Sequence, residues 1–327
     1  MKIRVLSRDD VSQALPMRQA IKAVKNAFIQ LSTGQADVPL RIALRVPRHR
    51  GVVLFMPAYL TGEDQMAVKI ASVFKENSAK GLPLIHSLVV VMDTSTGEPI
   101  AVMDGAYLTA LRTGAASGVA TDLLARKNSQ IVAILGAGAQ GRTQLEAICA
   151  VRSIQKALVY DTALDRATGF ASEMSQRLSL AVEVADTPAK ALHQADIIST
   201  ATSSSSPIFD DGDVGFGAHI NAIGAFTPQM QEIPSDTVLR AKVVVDHRKT
   251  SLAEAGDLLI PIHQGLISEA HIYAELGEIA AGLKSARTSP GDITLFKSVG
   301  VAIQDVAVAC VALELASQQG LGTEVVL

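Results

Sequence analysis

Ile131-Val-Ala-Ile-Leu-Gly136-Ala-Gly138-Ala-Gln-Gly141 is the stretch that decides the fold. Its apolar run, 131–135, reads as a buried parallel strand, and its glycines read as the turn into a helix beginning near Ala139. A further strand, Ala157-Leu-Val-Tyr160, ends in Asp161. That acid lies about 20 residues past the last glycine, the spacing of a dinucleotide fingerprint. The first glycine permits a tight turn, the second lets the backbone approach a pyrophosphate, and the third lets helix pack on strand. The helix N-terminus offers free N–H groups and a positive dipole end to phosphates. Gly136, Gly138, Ala139, Gln140 and Gly141 are therefore candidate cofactor contacts; the alternative is a tight turn that binds nothing. Asp161 suits an adenosine ribose diol, which favours NAD(H), and it would repel the 2′-phosphate of NADP(H). Arg166 is near enough in sequence to blunt that preference, so both nucleotides stay open. Asp161 also has the chemistry of a cap for the helix after Thr162.

Working outward, strand and helix alternate on the C-terminal side. Strands are expected at 131–135, 157–160, 181–184, 195–199, 219–223, 242–245 and 292–296, and helices at 139–152, 162–178, 187–193 and 234–240. That order implies an α/β, doubly wound parallel sheet of the Rossmann type. Thr200-Ala201-Thr202 follows the strand at 195–199. Loops at the carboxyl ends of such strands line the ligand crevice, and small residues there let a nicotinamide lie against the backbone. Ser203–Ser206 reads as part of the same functional loop. Lys297, at a strand end, is a further candidate beside the cofactor.

Roughly 130 residues precede the turn, and 327 residues suffice for two domains. Helices are expected within 9–32, where Ile21, Val24, Ala27, Phe28 and Leu31 share one face. Paired strands follow over 39–56, broken at Pro47–Gly51, then strands at 67–74, 84–92 and 98–103 and a small-residue helix over 106–125. This is an α+β domain. The stretch 299–318 reads as one long apolar helix.

The composition narrows the partners. Apolar residues make up 48% and aromatics only 4%, so the core is large and aliphatic. A net charge of −3 gives no electrostatic reason to bind nucleic acid or anionic lipid. No uncharged apolar run approaches the roughly 20 residues of a membrane span. Met1-Lys-Ile-Arg-Val lacks the apolar core of a signal peptide. Cys149 and Cys310 sit in apolar helical contexts and read as core thiols of a reducing compartment, neither a disulfide nor a metal pair. A cytoplasmic, metal-free protein is expected.

Three cations of the first domain stand out. Arg41 opens the alternating strand Arg41-Ile-Ala-Leu-Arg-Val. Lys69 interrupts the apolar strand Met66-Ala-Val-Lys-Ile-Ala-Ser-Val. Arg112 sits among small helical residues. A lysine on an inward face is costly unless paired or working, and arginine suits bidentate carboxylate recognition. Taken from spacing alone, each reads first as a solvated or ion-paired charge, and periodicity cannot bring the three together. His86 reads as an ordinary strand histidine, and Glu278 and Asp305 as ion-paired or capping groups.

Seven segments together resemble the ornithine cyclodeaminase/mu-crystallin family over essentially the whole chain. They are Met56-Pro-Ala-Tyr59, Ala101-Val-Met-Asp-Gly105, Leu111-Arg-Thr-Gly-Ala-Ala116, Leu135-Gly-Ala-Gly-Ala-Gln140, His219-Ile-Asn-Ala-Ile-Gly224, Ala274-Glu-Leu-Gly-Glu278 and Phe296-Lys-Ser-Val-Gly300. The family includes NAD(P)-dependent alanine dehydrogenases, ketimine reductases and Δ1-pyrroline-2-carboxylate reductases. The resemblance implies a substrate and dimerisation domain over 1–118, with 305–327 returning to it, a Rossmann domain over 119–304, and a homodimer. It implies that Arg41, Lys69 and Arg112 handle the substrate carboxylate and reacting centre. Thr113 falls near the cofactor phosphates, and Ile223 lies in a motif on the cofactor side.

Two departures bear on the reaction. Cyclodeaminases of the family carry an acid two residues before the Met-Pro pair, where this chain has Leu54. They carry an aspartate after the Asn-Ala-x-Gly run, where this chain has Ala225-Phe226-Thr227-Pro228. Phe226 cannot accept protons from an ammonium but can cover an apolar ring. The implied activity is hydride transfer from NAD(P)H to the C=N carbon of a cyclic α-imino acid. In it Arg41 and Arg112 clamp the carboxylate, Lys69 delivers the proton and Phe226 contacts the substrate. Reductive amination of a 2-oxo acid, ornithine cyclisation and non-catalytic mu-crystallin-like binding are the alternatives.

Overall fold

In the computed structural model the chain divides into two compact units, Met1–Arg112 with Val301–Leu327, and Thr113–Gly300. The described residues are 1–77 and 79–327. The chain opens β1 (Lys2–Leu6), α1 (Arg8–Ala14), α2 (Met17–Ser32), β2 (Ala36–Asp37), β3 (Ile42–Val46), β4 (Gly51–Leu60), β5 (Gln65–Phe74), β6 (Ile85–Met92), β7 (Pro99–Asp104) and α3 (Gly105–Leu124). It continues β8 (Ile131–Leu135), α4 (Ala139–Val151), β9 (Lys156–Tyr160), α5 (Leu164–Leu178), β10 (Ala181–Val184), α6 (Pro188–Leu192), β11 (Ile197–Thr200), β12 (His219–Ala222), α7 (Ser235–Arg240) and β13 (Lys242–Val245). Then come α8 (Arg248–Glu254), α9 (Gly256–His263), β14 (Ile272–Glu275), α10 (Leu276–Ala280) and β15 (Thr294–Lys297). α11 (Ala302–Gln318) and β16 (Thr323–Val326) close the chain.

The first unit is a mixed sheet in the order β16-β1-β7-β6-β5-β4-β2, with β3 also paired to β4. Alternation sends Met56, Ala58 and Leu60 of β4 and Ala67, Lys69 and Ala71 of β5 to a buried face. α11, apolar nearly all round, packs on β4, β5, β6 and α2. α2 adds its buried stripe of Ile21, Val24, Ala27 and Phe28. The β3–β4 hairpin turns through Arg50 in the left-handed region, φ 48°.

The second unit is a parallel sheet in the order β10-β9-β8-β11-β12-β15-β13-β14. Every ladder in it is parallel. Its core is aliphatic, as the composition requires.

The unit boundaries differ from those read in the sequence. The first falls between Arg112 and Thr113 rather than at 118. Beyond it α3 is bound closely to α4: a Cβ added to Gly114 would meet the Thr143 carbonyl oxygen at 2.5 Å. The second falls at Gly300, a left-handed turn of φ 84°, rather than at 304. Every residue of α11 from Ala302 to Ala309 is buried.

Candidate functional site

In the first unit, α11 brings Asp305 beneath β5. Lys69 Nζ lies 2.7 Å from Asp305 Oδ2, and Arg112 Nε lies 3.2 Å from Asp305 Oδ1. All three side chains are buried. Arg112 also donates to Gln304 Oε1, and no acceptor among the described residues reaches the buried Gln304 Nε2. Burial pulls the Lys69 ammonium down from 10.5 to about 8, against the opposing pull of Asp305. The charges of Arg112 and Arg41 press in the same direction as burial. Arg41 therefore shares the field of the site; it immediately precedes β3 and is half-buried. One carboxylate serves two buried cations, so Lys69, Arg112 and Asp305 together retain a positive charge. Such a charge is costly to bury without a further anion.

Leu54 stands on the same side of β4 as Met56, whose cross-strand partner is Lys69. His86 is exposed on β6, opposite Ser72, away from the buried face.

In the second unit, the glycines of the β8–α4 turn show three different necessities. Gly136 adopts φ 108°, and a Cβ there would lie 2.5 Å from the Ala201 carbonyl oxygen. A Cβ on Gly141 would lie 2.2 Å from the Gly136 carbonyl oxygen. A Cβ on Gly138 would meet nothing within 4 Å. That open approach, at the N-cap of α4, fits a pyrophosphate, because the first helical amides have no intrahelical partner. Gly138 and Ala139 are exposed, and Gln140 holds a buried side-chain oxygen without a hydrogen-bond partner among the described residues.

Asp161 follows β9 beside this turn. Its Oδ2 accepts from Ala137 N at 2.9 Å, its Oδ1 accepts from Ala163 N at 2.9 Å, and Arg166 lies 3.0 Å from Oδ1. It thus ties the glycine turn to the start of α5 while Arg166 remains mostly exposed. Thr113 is buried, and its carbonyl accepts from Gln144 Nε2 at 3.3 Å. Phe226 is 50% exposed on the loop after β12.

The loops after β11 and β12 converge on a residue not singled out in the sequence. Glu232 is fully buried and accepts from Thr200 Oγ1 at 2.9 Å, Thr202 N at 2.6 Å, Gly224 N at 2.7 Å and Ala225 N at 3.2 Å. Ile223 N donates to the Thr200 carbonyl at 3.0 Å. Asp257 Oδ1 accepts from Glu232 N and Ile233 N, and Asp257 Oδ2 lies 2.8 Å from Lys297 Nζ. Burial, and then the charge of Asp257, raise the Glu232 carboxyl. Lys297 is a correction to the sequence reading. It and Asp257 are both 0% exposed, so its ammonium is consumed in an internal ion pair and presents nothing to a cofactor.

A model of the ornithine cyclodeaminase/mu-crystallin family matches residues 1–320. The chain belongs to that family. A Δ1-pyrroline-2-carboxylate reductase of Bacillus cereus is 38% identical over 322 residues, covering 98% of this chain and 99% of the relative. An alanine dehydrogenase of Archaeoglobus fulgidus is 36% identical over 326 residues, 99% of this chain and 98% of the relative. Among solved structures, a Thermococcus litoralis Δ1-pyrroline-2-carboxylate reductase in complex with NADH and L-proline superposes with a TM-score of 0.95 at 45% identity. It covers 99% of this chain and 100% of that one.

Relative to the sequence reading of this family member, the structure adds Asp305 and Gln304 to the cation cluster and Glu232 and Asp257 to the loops after β11 and β12. Asp305 had a signal, an acid in the first turn of an otherwise apolar helix. Glu232 had none, since it sits in an aperiodic loop.

Proposed function

We propose that the chain reduces a cyclic α-imino acid of the Δ1-pyrroline-2-carboxylate type to the cyclic amino acid, with NADH or NADPH as reductant. The observation that carries this reading is the positive charge left on Lys69, Arg112 and Asp305, which the carboxylate of an α-imino acid would balance. Gly136, Gly138, Ala139, Gln140 and Gly141 fit the pyrophosphate, with Thr113 nearby in α3; Asp161 and Arg166 serve the adenosine ribose, and Thr200, Ala201, Thr202 and Ile223 the nicotinamide half. Reduced nicotinamide, when bound, supplies a hydride.

The protein's own groups do the rest. Arg112, joined by Arg41, binds and orients the carboxylate. Lys69 Nζ holds the proton that the imine nitrogen takes up, and protonation makes the adjacent carbon a better hydride acceptor. A positioned donor of this kind is worth about 10²–10⁴ in rate. Asp305 keeps Lys69 protonated despite its burial. Phe226 offers an apolar cover for the ring. Leu54, on the Lys69 side of β4, offers nothing to a side-chain ammonium, which disfavours cyclisation of a diamino acid. The Bacillus relative is named for this reaction, and the Thermococcus structure holds NADH and L-proline.

The Archaeoglobus relative supports a second reading, reductive amination of a 2-oxo acid by the same cations. Loss of reduced-nicotinamide absorbance with Δ1-pyrroline-2-carboxylate, with and without ammonia, and with pyruvate plus ammonia, separates the two. Rapid ammonia-independent oxidation is expected; oxidation only with pyruvate and ammonia would replace the first reading with the second.

The same reading places the protein in the cytoplasm as a homodimer. Cys149 and Cys310 are free thiols, and no helix among the described residues is long and apolar enough to cross a membrane. On the sheet face opposite Lys69, Ile42, Phe55, Ile70 and Leu88 stand in one cross-strand row. Ile42 and Leu88 are exposed. An open apolar row of this kind supports association with a second copy.

A further inference from the structure

Within the second unit a dinucleotide held at the β8–α4 turn would extend two ways along the sheet order β9-β8-β11-β12. Asp161 marks the adenosine side, after β9. The nicotinamide half would then be held at the carboxyl ends of β11 and β12, the side where doubly wound sheets bind ligands. Those two strand ends continue as irregular loops, Ala201–Thr202 and Ile223–Ala225, whose backbone link is a pair of bonds from Ile223 N and Gly224 N to the Thr200 carbonyl.

One buried carboxylate holds both. Glu232 Oε2 takes Thr200 Oγ1, Gly224 N and Ala225 N, and Oε1 takes Thr202 N. Gly224 is glycine because a Cβ there would fall 2.3 Å from the Thr202 carbonyl oxygen and 2.4 Å from Glu232 Oε1. The clipped loop in turn backs the phosphate cradle, since Gly136 comes within 2.5 Å, measured from an added Cβ, of the Ala201 carbonyl oxygen. Glu232 is itself fixed through Asp257 to Lys297 at the end of β15, the next strand of the sheet. Three neighbouring strand ends are therefore tied by side chains that are all fully buried.

We propose that Glu232 is a positioning residue that sets the height and orientation of the nicotinamide half by clipping together the loops after β11 and β12. The proposal rests on the reading that the second unit binds NAD(H) or NADP(H). Glu232 touches neither nucleotide nor substrate; it acts through the loops. Its requirement is for a carboxylate, because all four of its loop partners are donors. A glutamine in its place presents an NH₂ to one of the loops, donor against donor, and that loop is released. Affinity for the nucleotide is carried mainly by the glycine turn and Asp161, which Glu232 does not contact.

The test compares the full-length protein with Glu232→Gln and with Thr200→Val, which deletes one clip bond at nearly constant volume. Four quantities are read: amide hydrogen exchange at Thr202, Gly224 and Ala225 without nucleotide, NADH affinity by fluorescence titration, kcat and KM for the imine, and the isotope effect with 4-deuterated NADH. For Glu232→Gln the three amides exchange at least about tenfold faster while the β8 and β9 amides do not. NADH binding stays within about threefold, kcat falls by about 100-fold with little change in KM, and the isotope effect on kcat grows, the signature of a misplaced donor. Thr200→Val moves every readout the same way by less, and it carries the test if Glu232→Gln does not fold. Wild-type exchange and turnover in both variants would overturn the proposal. So would loss of NADH binding in step with loss of folding, which is what a merely structural residue gives. A wild-type protein that binds no NADH and reduces no imine would instead overturn the functional reading, a result distinguishable because the exchange measurement needs no nucleotide.

Discussion

Lys69 is the residue whose chemistry depends most on its surroundings. In the proposed role of proton donor it must be protonated, and burial pulls its loss of the proton down to about 8. Imine reduction should therefore hold below pH 8 and fall about tenfold per unit above it, as a pH profile of kcat/KM will show; an ordinary lysine would sustain activity to near 10.5. Asp305 pulls the other way, so in Asp305→Asn the alkaline limb should move to lower pH. Removing the one carboxylate from two buried cations should also cost about 3–5 kcal/mol of stability, read as a lowered denaturation midpoint. At Asp161 the Arg166 guanidinium offsets the carboxylate. Arg166→Ala should weaken NADPH relative to NADH by roughly tenfold, the scale of one surface charge contact with a phosphate; equal affinities in wild type and variant would remove Arg166 from nucleotide choice.

The β8–α4 turn shows how one element separates stability from binding. Gly141→Ala forces a methyl into the Gly136 carbonyl oxygen, 2.2 Å away, so strand and helix must part. Its thermal midpoint should drop by several degrees, and nucleotide binding should go with it. Gly138→Ala meets nothing within 4 Å, and its cost is confined to the N-cap preference for glycine over alanine, roughly 1 kcal/mol. Its midpoint should stay near wild type while NADH affinity falls about tenfold or more, because the methyl occupies the phosphate approach. A normal NADH titration in Gly138→Ala would refute the assigned role of the turn.

For the whole molecule, the apolar row Ile42–Phe55–Ile70–Leu88 makes a prediction about assembly. Ile42→Glu with Leu88→Glu should leave the first unit folded, since both side chains are exposed in the single chain. Wild type should sediment as a dimer and the double variant as a monomer. A dimer in both would move the association surface elsewhere.

The parallel sheet, the glycine turn and its acid were legible because each depends on local features: an apolar strand run, glycines at steric necessities and a fixed spacing. Lys69 and Arg112 were legible only as charges out of place among apolar neighbours. β1, β2, β14 and β16 were not read, since each is a short strand whose existence depends on a distant pairing partner, as β1 depends on β7 and β16. Short helices α8, α9 and α10 escaped for the same reason, having too few turns to show a period. What the sequence by itself determined is the glycine turn with its acid and the set of misplaced charges, because short-range sterics and spacing encode them. What only the tertiary structure decided is pairing: Asp305 with Lys69 and Arg112, Lys297 with Asp257, and Glu232 with two loops. Burial makes each of these contacts compulsory, and chain-distant packing, which no local pattern records, chooses the partner.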